Sequence, residues 1–359
     1  MSRPTYMTID LAALQHNLDR VHALAPGRSV IAMVKANAYG HGIVRVATAL
    51  TKADAFGVAS LEEGILLREA GIRHPIFLME GLFYPDELAE AARHHFTLIV
   101  HHWPGVEILE RATDAHVFPV WLKINTGMHR LGFDPKEVRS VYERLRIAPN
   151  VRKPIGLMTH FAEADVPHNA STQQQIQLFN ELTHDLEGPR SLANSAGILN
   201  WPESYGDWVR PGLMMYGASP IANNAGLDHD LKPVMTLSSR IIAITHVKKD
   251  GKVGYGGTWT APEDMSVGVV GVGYGDGYPH FAKNGTPVLI NGHPSQLVGR
   301  VSMDMLTVDL RGQPLAKIGD PVILWGEGLP VERIALHNNT SAYEILTRMT
   351  PRPKMIVKS

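Results

Sequence analysis

From residue 28 to about residue 217, short apolar runs alternate with longer amphipathic stretches, and few folds satisfy that rhythm. The runs are VIAMV, AFGVA, PIFLM, TLIV, VFPVWLKI, IGLMTHF, RSLANS and WVRPGLMMYG. Continuous apolar runs of this length, partly β-branched and bounded by polar or glycine residues, read as strands buried on both faces. Between them IVRVATAL, LEEGILLREAG, DELAEAARHH, DPKEVRSVYERLR and TQQQIQLFNELTHDL carry helical spacing, with Ser60, Asp86 and Asp134 as caps and Gly71 as a stop. Eight such units in about 200 residues predict an α/β fold, a (β/α)8 TIM barrel, whose functional groups collect at the carboxyl ends of the strands.

Beyond residue 228 the pattern changes. VMTLSSRIIAITHVK, SVGVVGVGYG, TPVLING, HPSQLVGRVSMDMLTVDL and DPVILWG are strand-like, rich in Val and Gly, with short turns between them. A brief helical return, VERIALHN and SAYEILTRM, precedes a final PKMIV. The expected division is therefore a barrel over 1–228 and a mostly β C-terminal domain over 229–359, with 221–233 as the crossing.

The chain has 359 residues, 44% of them hydrophobic and 19% charged, enough for two ordinary cores. A net charge of −1 without a long basic run argues against nucleic acid or a membrane surface as partner, leaving a small molecule. The absence of Cys removes disulfides, thiolate nucleophiles and Cys-based zinc sites. Eighteen His residues form no H-x-x-x-H or H-E-x-x-H pair, so no metal is expected. The opening MSRPTYMTIDLAALQHNL has no apolar leader segment, and no run approaches the ~18 apolar residues of a membrane span, which predicts a cytoplasmic protein.

Lys35 ends the first predicted strand, in SVIAMVKANAYGHG. A lone lysine there is ordinarily a surface residue with its head in water. However, the other strand ends also carry chemistry: Tyr39 beside Lys35, then Lys123 and Arg130, His160, Asn194 and Ser195, and finally Arg210, Gly212 and Tyr216. Each has a bland alternative, a surface ion pair for an arginine or a satisfied core histidine for His160. Their convergence on one rim outweighs it. NSAG and RPGLMMYG combine a hydroxyl, glycines and a helix start, the usual phosphate site of this fold. Lysine plus phosphate suggests pyridoxal phosphate, whose aldehyde a lysine captures as an imine. The residues by themselves leave open an aldolase-type lysine acting on a sugar phosphate.

VKANAYGHG resembles the pyridoxal-phosphate attachment segment of alanine racemases. The likeness extends through LKINTGMHRLGF, THF, NSAG, DWVRPGLMMYG, VGYGGTW, GYGDGYP, VGRVSMDM and SAYE, over essentially the whole chain. It implies a barrel followed by a β-rich domain, acting as a head-to-tail homodimer that interconverts L- and D-alanine for peptidoglycan or alanine catabolism. By the same resemblance Lys35 forms the imine and is the base on one face of the substrate, and Tyr255, from the other subunit, is the base on the opposite face. Inverting a stereocentre calls for two such groups, and free lysine and tyrosine both titrate near ~10, so each needs help to act as a base. His160 is expected to hydrogen-bond Tyr255, with Arg210 behind it and facing the pyridine nitrogen. A guanidinium keeps its proton, which makes the ring a weaker electron sink and disfavours transamination.

The phosphate would fall to Tyr39, Ser195, Tyr343 and the backbone N–H groups of Gly212 and Leu213, with Tyr216 as a further candidate, and Asn194 would be a further cofactor contact. Arg130 would meet the cofactor's phenolic oxygen and the substrate carboxylate, and the Met303 N–H the same carboxylate. Lys123 matches a position carbamylated in many relatives. Tyr274 and Tyr343 would narrow the entrance, and Arg300 and Asp304 line the way in. Three departures stand out: Asn125 for Asp, Ser302 for Cys and His280 for Arg. Asn125 keeps one acceptor, whereas His280 changes the charge of the entry. Competing readings are a serine or broad-specificity racemase, a related decarboxylase, and a non-catalytic pyridoxal-phosphate carrier.

Overall fold

The computed structural model describes residues 3–112 and 116–359, which divide into two compact units. One comprises Asn17–Met215 and Ser219–Ala222; the other gathers the residues up to His16, Tyr216–Ala218 and Asn223–Ser359. This differs from a single cut at residue 228 in assigning the start of the chain to the second unit.

The first unit is the barrel. Its strands are Ser29–Met33, Ala55–Val58, Ile76–Leu78, Thr97–Val100, Phe118–Lys123, Val151–Met158, Arg190–Ser191 and Trp208–Val209, each overlapping one of the eight apolar runs, although the sixth begins four residues before its run. Neighbours pair in parallel from the first to the seventh, and the eighth pairs with the first. An isolated parallel bridge between Asn194 and Arg210 closes the remaining gap. Phe77, Trp121 and Trp208 come from the third, fifth and eighth strands, yet their ring centroids lie 5.7–6.3 Å apart. Rings from non-adjacent strands meet only across the lumen, so the barrel is filled, not hollow. Gly156 gives Trp121 its room, because a Cβ there would lie 2.0 Å from the indole.

The helices follow local signals. Asp134 closes a capping box with Glu137 ahead of Val138–Ile147, and Gly71 sits at φ +85° after Leu61–Glu69. Trp103–Arg111, which the sequence pattern did not single out, starts at His102, whose ring nitrogen accepts the Gly105 N–H.

The second unit is built on one long strand, Met235–Val247. Its first half lies between Tyr6–Asp10 and Pro321–Trp325, and its second half pairs with Met265–Val270, which in turn pairs with Leu306–Asp309. Tyr6–Asp10 is sandwiched, since Lys354–Lys358 pairs with it in parallel on the other side. A two-stranded ribbon, Lys252–Val253 and Trp259–Thr260, projects a short turn, Tyr255–Gly257. No helix among the described residues is long and apolar enough to cross a membrane.

Candidate active site

Parallel strands end together, so the barrel brings Lys35, Lys123, His160, Asn194, Ser195 and Arg210 to one mouth. Lys35 is followed by a backbone that sequence reasoning missed. Ala36, Asn37, Ala38 and Tyr39 all have φ between +52° and +54°, a full left-handed turn made without glycine. Each such residue costs roughly 1–2 kcal/mol, and the conformation persists because its surroundings over-determine it. Glu63 accepts the Ala36 N–H at 2.7 Å and the Ala59 N–H at 2.8 Å. Asn37 accepts the Ile43 N–H through its side chain and the Gly42 N–H through its carbonyl, both at 2.9 Å. His41, fully buried, bonds the Ala38 and Tyr39 carbonyls through Nδ1, and burial lowers its pKa to about 4.

Arg210 is 3% exposed and held on four N–H groups. Nη1 donates to the Ser191 carbonyl and hydroxyl at 2.8 and 2.6 Å, and Nη2 to the Thr159 and Leu192 carbonyls, with His160 Nδ1 at 3.4 Å. Its Nε–H has no acceptor among the described residues. Burial lowers its pKa to about 10, so it remains a cation at neutral pH. Facing that guanidinium, Nδ1 of His160 is the acceptor and Nε2 carries the proton. Burial, then the charges of Arg210, Lys123, Arg130 and Lys35, hold His160 well below the usual histidine range. His160 is therefore neutral and a donor.

Lys123 is 8% exposed, and burial followed by Arg210, Arg130 and Lys35 brings its pKa down to about 8. With Asn125, Arg130 and His160 it lines a narrow cleft. The Asn125 side-chain oxygen accepts the Gly127 and His129 N–H groups, so the amide supplies the acceptor expected of it. The mouth thus collects cations with few acids to answer them, which favours a polyanionic ligand.

A second cradle lies at the last two strands. Ser195 Oγ accepts the Gly212 N–H at 2.8 Å and the Met214 N–H at 3.3 Å, leaving its own proton to donate. The Asn194 side-chain oxygen caps the Gly197 N–H. Gly212 lets the Tyr39 ring approach, since a Cβ would stand 2.5 Å from the Tyr39 hydroxyl; Leu213 opens the next turn.

In the second unit Tyr255 is 71% exposed on its turn, between Gly254 at φ +75° and Gly256 at φ +70°. Arg300 lies alongside, 3.9 Å from where a Gly256 Cβ would be, and helps line an open cleft with His280 and Lys283. The GYGDG motif is a 3-10 turn, Tyr274–Asp276, zipped to the Met303 loop by Tyr274 N–H to Ser302 O and Gly275 N–H to Met303 O. Tyr274 packs edge-on against His280, and Tyr343 is the second residue of the helix Ala342–Thr347 capped by Ser341. Asp304 is engaged by Arg352 at 2.6 Å.

Two family models match the chain: the alanine racemase N-terminal domain over residues 9–220 and the alanine racemase C-terminal domain over 234–357. An alanine racemase of Shewanella sediminis is 52% identical across 96% of both chains, and one of Coxiella burnetii is 48% identical across 99% of both. Among solved structures, a biosynthetic alanine racemase from Pseudomonas aeruginosa superposes with a TM-score of 0.97, 44% identity and full coverage of both chains. Another, from Bartonella henselae with covalently bound pyridoxal phosphate, gives 0.90 at 28% identity over 99% of this chain and all of that one. On matches that run through both units, the chain belongs to the alanine racemase family.

Proposed function

We propose that the chain interconverts L- and D-alanine with pyridoxal phosphate bound, as a homodimer in which Lys35 and Tyr255 of the partner subunit serve opposite faces of the substrate. The observation that carries the reading is the full-length similarity to alanine racemases in both units. Pyridoxal phosphate supplies an aldehyde that condenses with amines and a ring that accepts the electron pair of a deprotonated Cα.

The residues fit that group. Arg210 has one N–H left over for an unprotonated ring nitrogen, and four bonds keep it from moving. Ser195 retains a proton to donate to a phosphate oxygen beside Tyr39, Gly212 and Leu213. Arg130, exposed at the mouth, is available to the phenolic oxygen and to the substrate carboxylate. Lys35 exchanges a proton with Cα from one side, and the Tyr255 hydroxyl from the other, so that one removes and the other returns it without turning the substrate over. His160, neutral with Nε2–H outward, stabilises a deprotonated tyrosine hydroxyl by donating to it. The Met303 N–H, which donates to nothing among the described residues, receives the substrate carboxylate, and Tyr274 with Tyr343 limits the side chain to the size of alanine. Exposure of Tyr255, Met303 and Met305 beyond what an isolated surface favours supports a dimer that covers them.

The test is incubation of the purified protein and pyridoxal phosphate with L-alanine, or with L-serine, in D₂O. Racemisation with deuterium entering Cα, fastest for alanine, is the expected result. Cofactor absorbance without Cα exchange would make the protein a carrier, and faster turnover of serine would change the substrate.

A further inference from the structure

The turn that carries Tyr274 is anchored by both ends of the chain. Asp276, its last residue, is fully buried and charged, which is tolerable only with partners. Arg3 supplies them: Nη1 and Nη2 grip Oδ1 and Oδ2 at 2.5 and 2.7 Å. Such a two-pronged pairing fixes orientation as well as distance. The same Arg3 Nη2 donates to the Asp304 carbonyl at 2.6 Å, on the loop that contains Met303. From the C-terminal side Arg352 donates to Asp304 Oδ1 at 2.6 Å, with its Nε 3.8 Å from Asp276 Oδ1. Thr350 adds two bonds, hydroxyl to Gly275 O at 2.9 Å and N–H to Asp276 O at 3.3 Å. Asp276 also accepts the Gly273 N–H at 2.9 Å, closing the turn on itself.

Tyr274 and Met303 are thus tied together twice, by the direct backbone bonds between their segments and by two arginines that reach both. Gly273 shows how close the segments run: a Cβ there would fall 2.3 Å from Ser302 O and 2.4 Å from Met303 O. The arginines come from opposite termini, and those termini are held side by side by the pairing of Tyr6 with Lys354. Neither arginine touches the groups proposed to react.

We propose that Arg3 and Arg352 are positioning residues which, through Asp276 and Asp304, hold the Tyr274 ring and the Met303 N–H at one spacing and so set the affinity for a small amino-acid carboxylate. This rests on the roles proposed above for Tyr274 and Met303. A clamp of this kind acts on binding, because the groups it places meet the substrate before and during reaction alike.

The experiment compares the holoenzyme with Arg3→Ala, Arg352→Ala, Arg3→Lys and Arg352→Lys, measuring kcat and KM for L-alanine and backbone hydrogen exchange over 273–278 and 302–305. The alanine variants should raise KM by about tenfold, with kcat within about twofold, and quicken exchange in those two segments only. Lysine, which keeps the charge but not the fork, should recover part of the KM at Arg352 and less at Arg3. A merely structural role would lower the amount of active enzyme, hence kcat, and leave KM in place. A KM within threefold of the parent in both alanine variants overturns the proposal. If the parent itself does not racemise alanine, the functional reading fails, and the exchange data decide the clamp alone: unaltered exchange over 273–278 and 302–305 overturns it.

Discussion

Lys123 shows how a residue's neighbours set its chemistry. A free lysine is almost wholly protonated at pH 8, whereas a pKa of about 8 leaves about half of the Lys123 amines neutral there. A neutral amine attacks CO₂, forming a carbamate and releasing a proton, and so converts a positive charge among Arg130 and Arg210 into a negative one. We predict that labelled bicarbonate gives a carbamate ¹³C signal that grows from pH 7 to pH 8.5 and is absent from Lys123→Met; no signal in the parent would leave an ordinary lysine. Lys35, His160 and Arg210 were legible as candidates because strand ends are where this fold keeps reactive groups. The direction in which Arg210 points, and therefore the tautomer of His160, depends on carbonyls at Thr159, Ser191 and Leu192 that no motif reveals.

Among elements, the left-handed turn after Lys35 defies local preference most. Alanine disfavours positive φ, and KANAYGHG reads as a flexible loop until Glu63, Asn37 and His41 are placed around it. His41 also makes the turn sensitive to acid. Its pKa falls from 6.5 to about 4 on folding, so the unfolded chain binds the proton first, and stability is intact above pH 6.5 and declines as pH falls from there toward 4. Over that window the loss is about 3 kcal/mol. Urea unfolding at pH 7 and pH 4.5 should show it, and His41→Asn should have a flatter dependence; equal slopes would remove His41 from the account. The barrel strands, by contrast, were plain from their continuous apolar runs, since burial on both faces leaves no polar alternate positions.

At the scale of the whole molecule, the proposed catalysis by Lys35 from one copy and Tyr255 from another makes a definite demand. Lys35→Ala and Tyr255→Phe should each reduce racemisation by about 10²–10⁴. Mixed and allowed to exchange subunits, the two inactive proteins should recover about a quarter of parental activity, because half of the dimers are hybrids with one intact site of two. No recovery, with exchange verified by mass spectrometry, would put both groups on one chain.

What the amino-acid order determined by itself was much of what depends on near neighbours: eight buried strands and most of the helices between them, a β-rich second half, and the residue types that follow each strand. Pairing between distant segments was decided only in three dimensions. YMTID is five residues long and unremarkable, and its partners lie more than two hundred residues away in Met235–Val247 and Lys354–Lys358. The same holds for Arg3, whose acceptor Asp276 reads as an ordinary turn residue in GYGDG. Hydrophobic periodicity records whether a segment is buried, not against what, and the cost of closing a long loop leaves no trace in local composition.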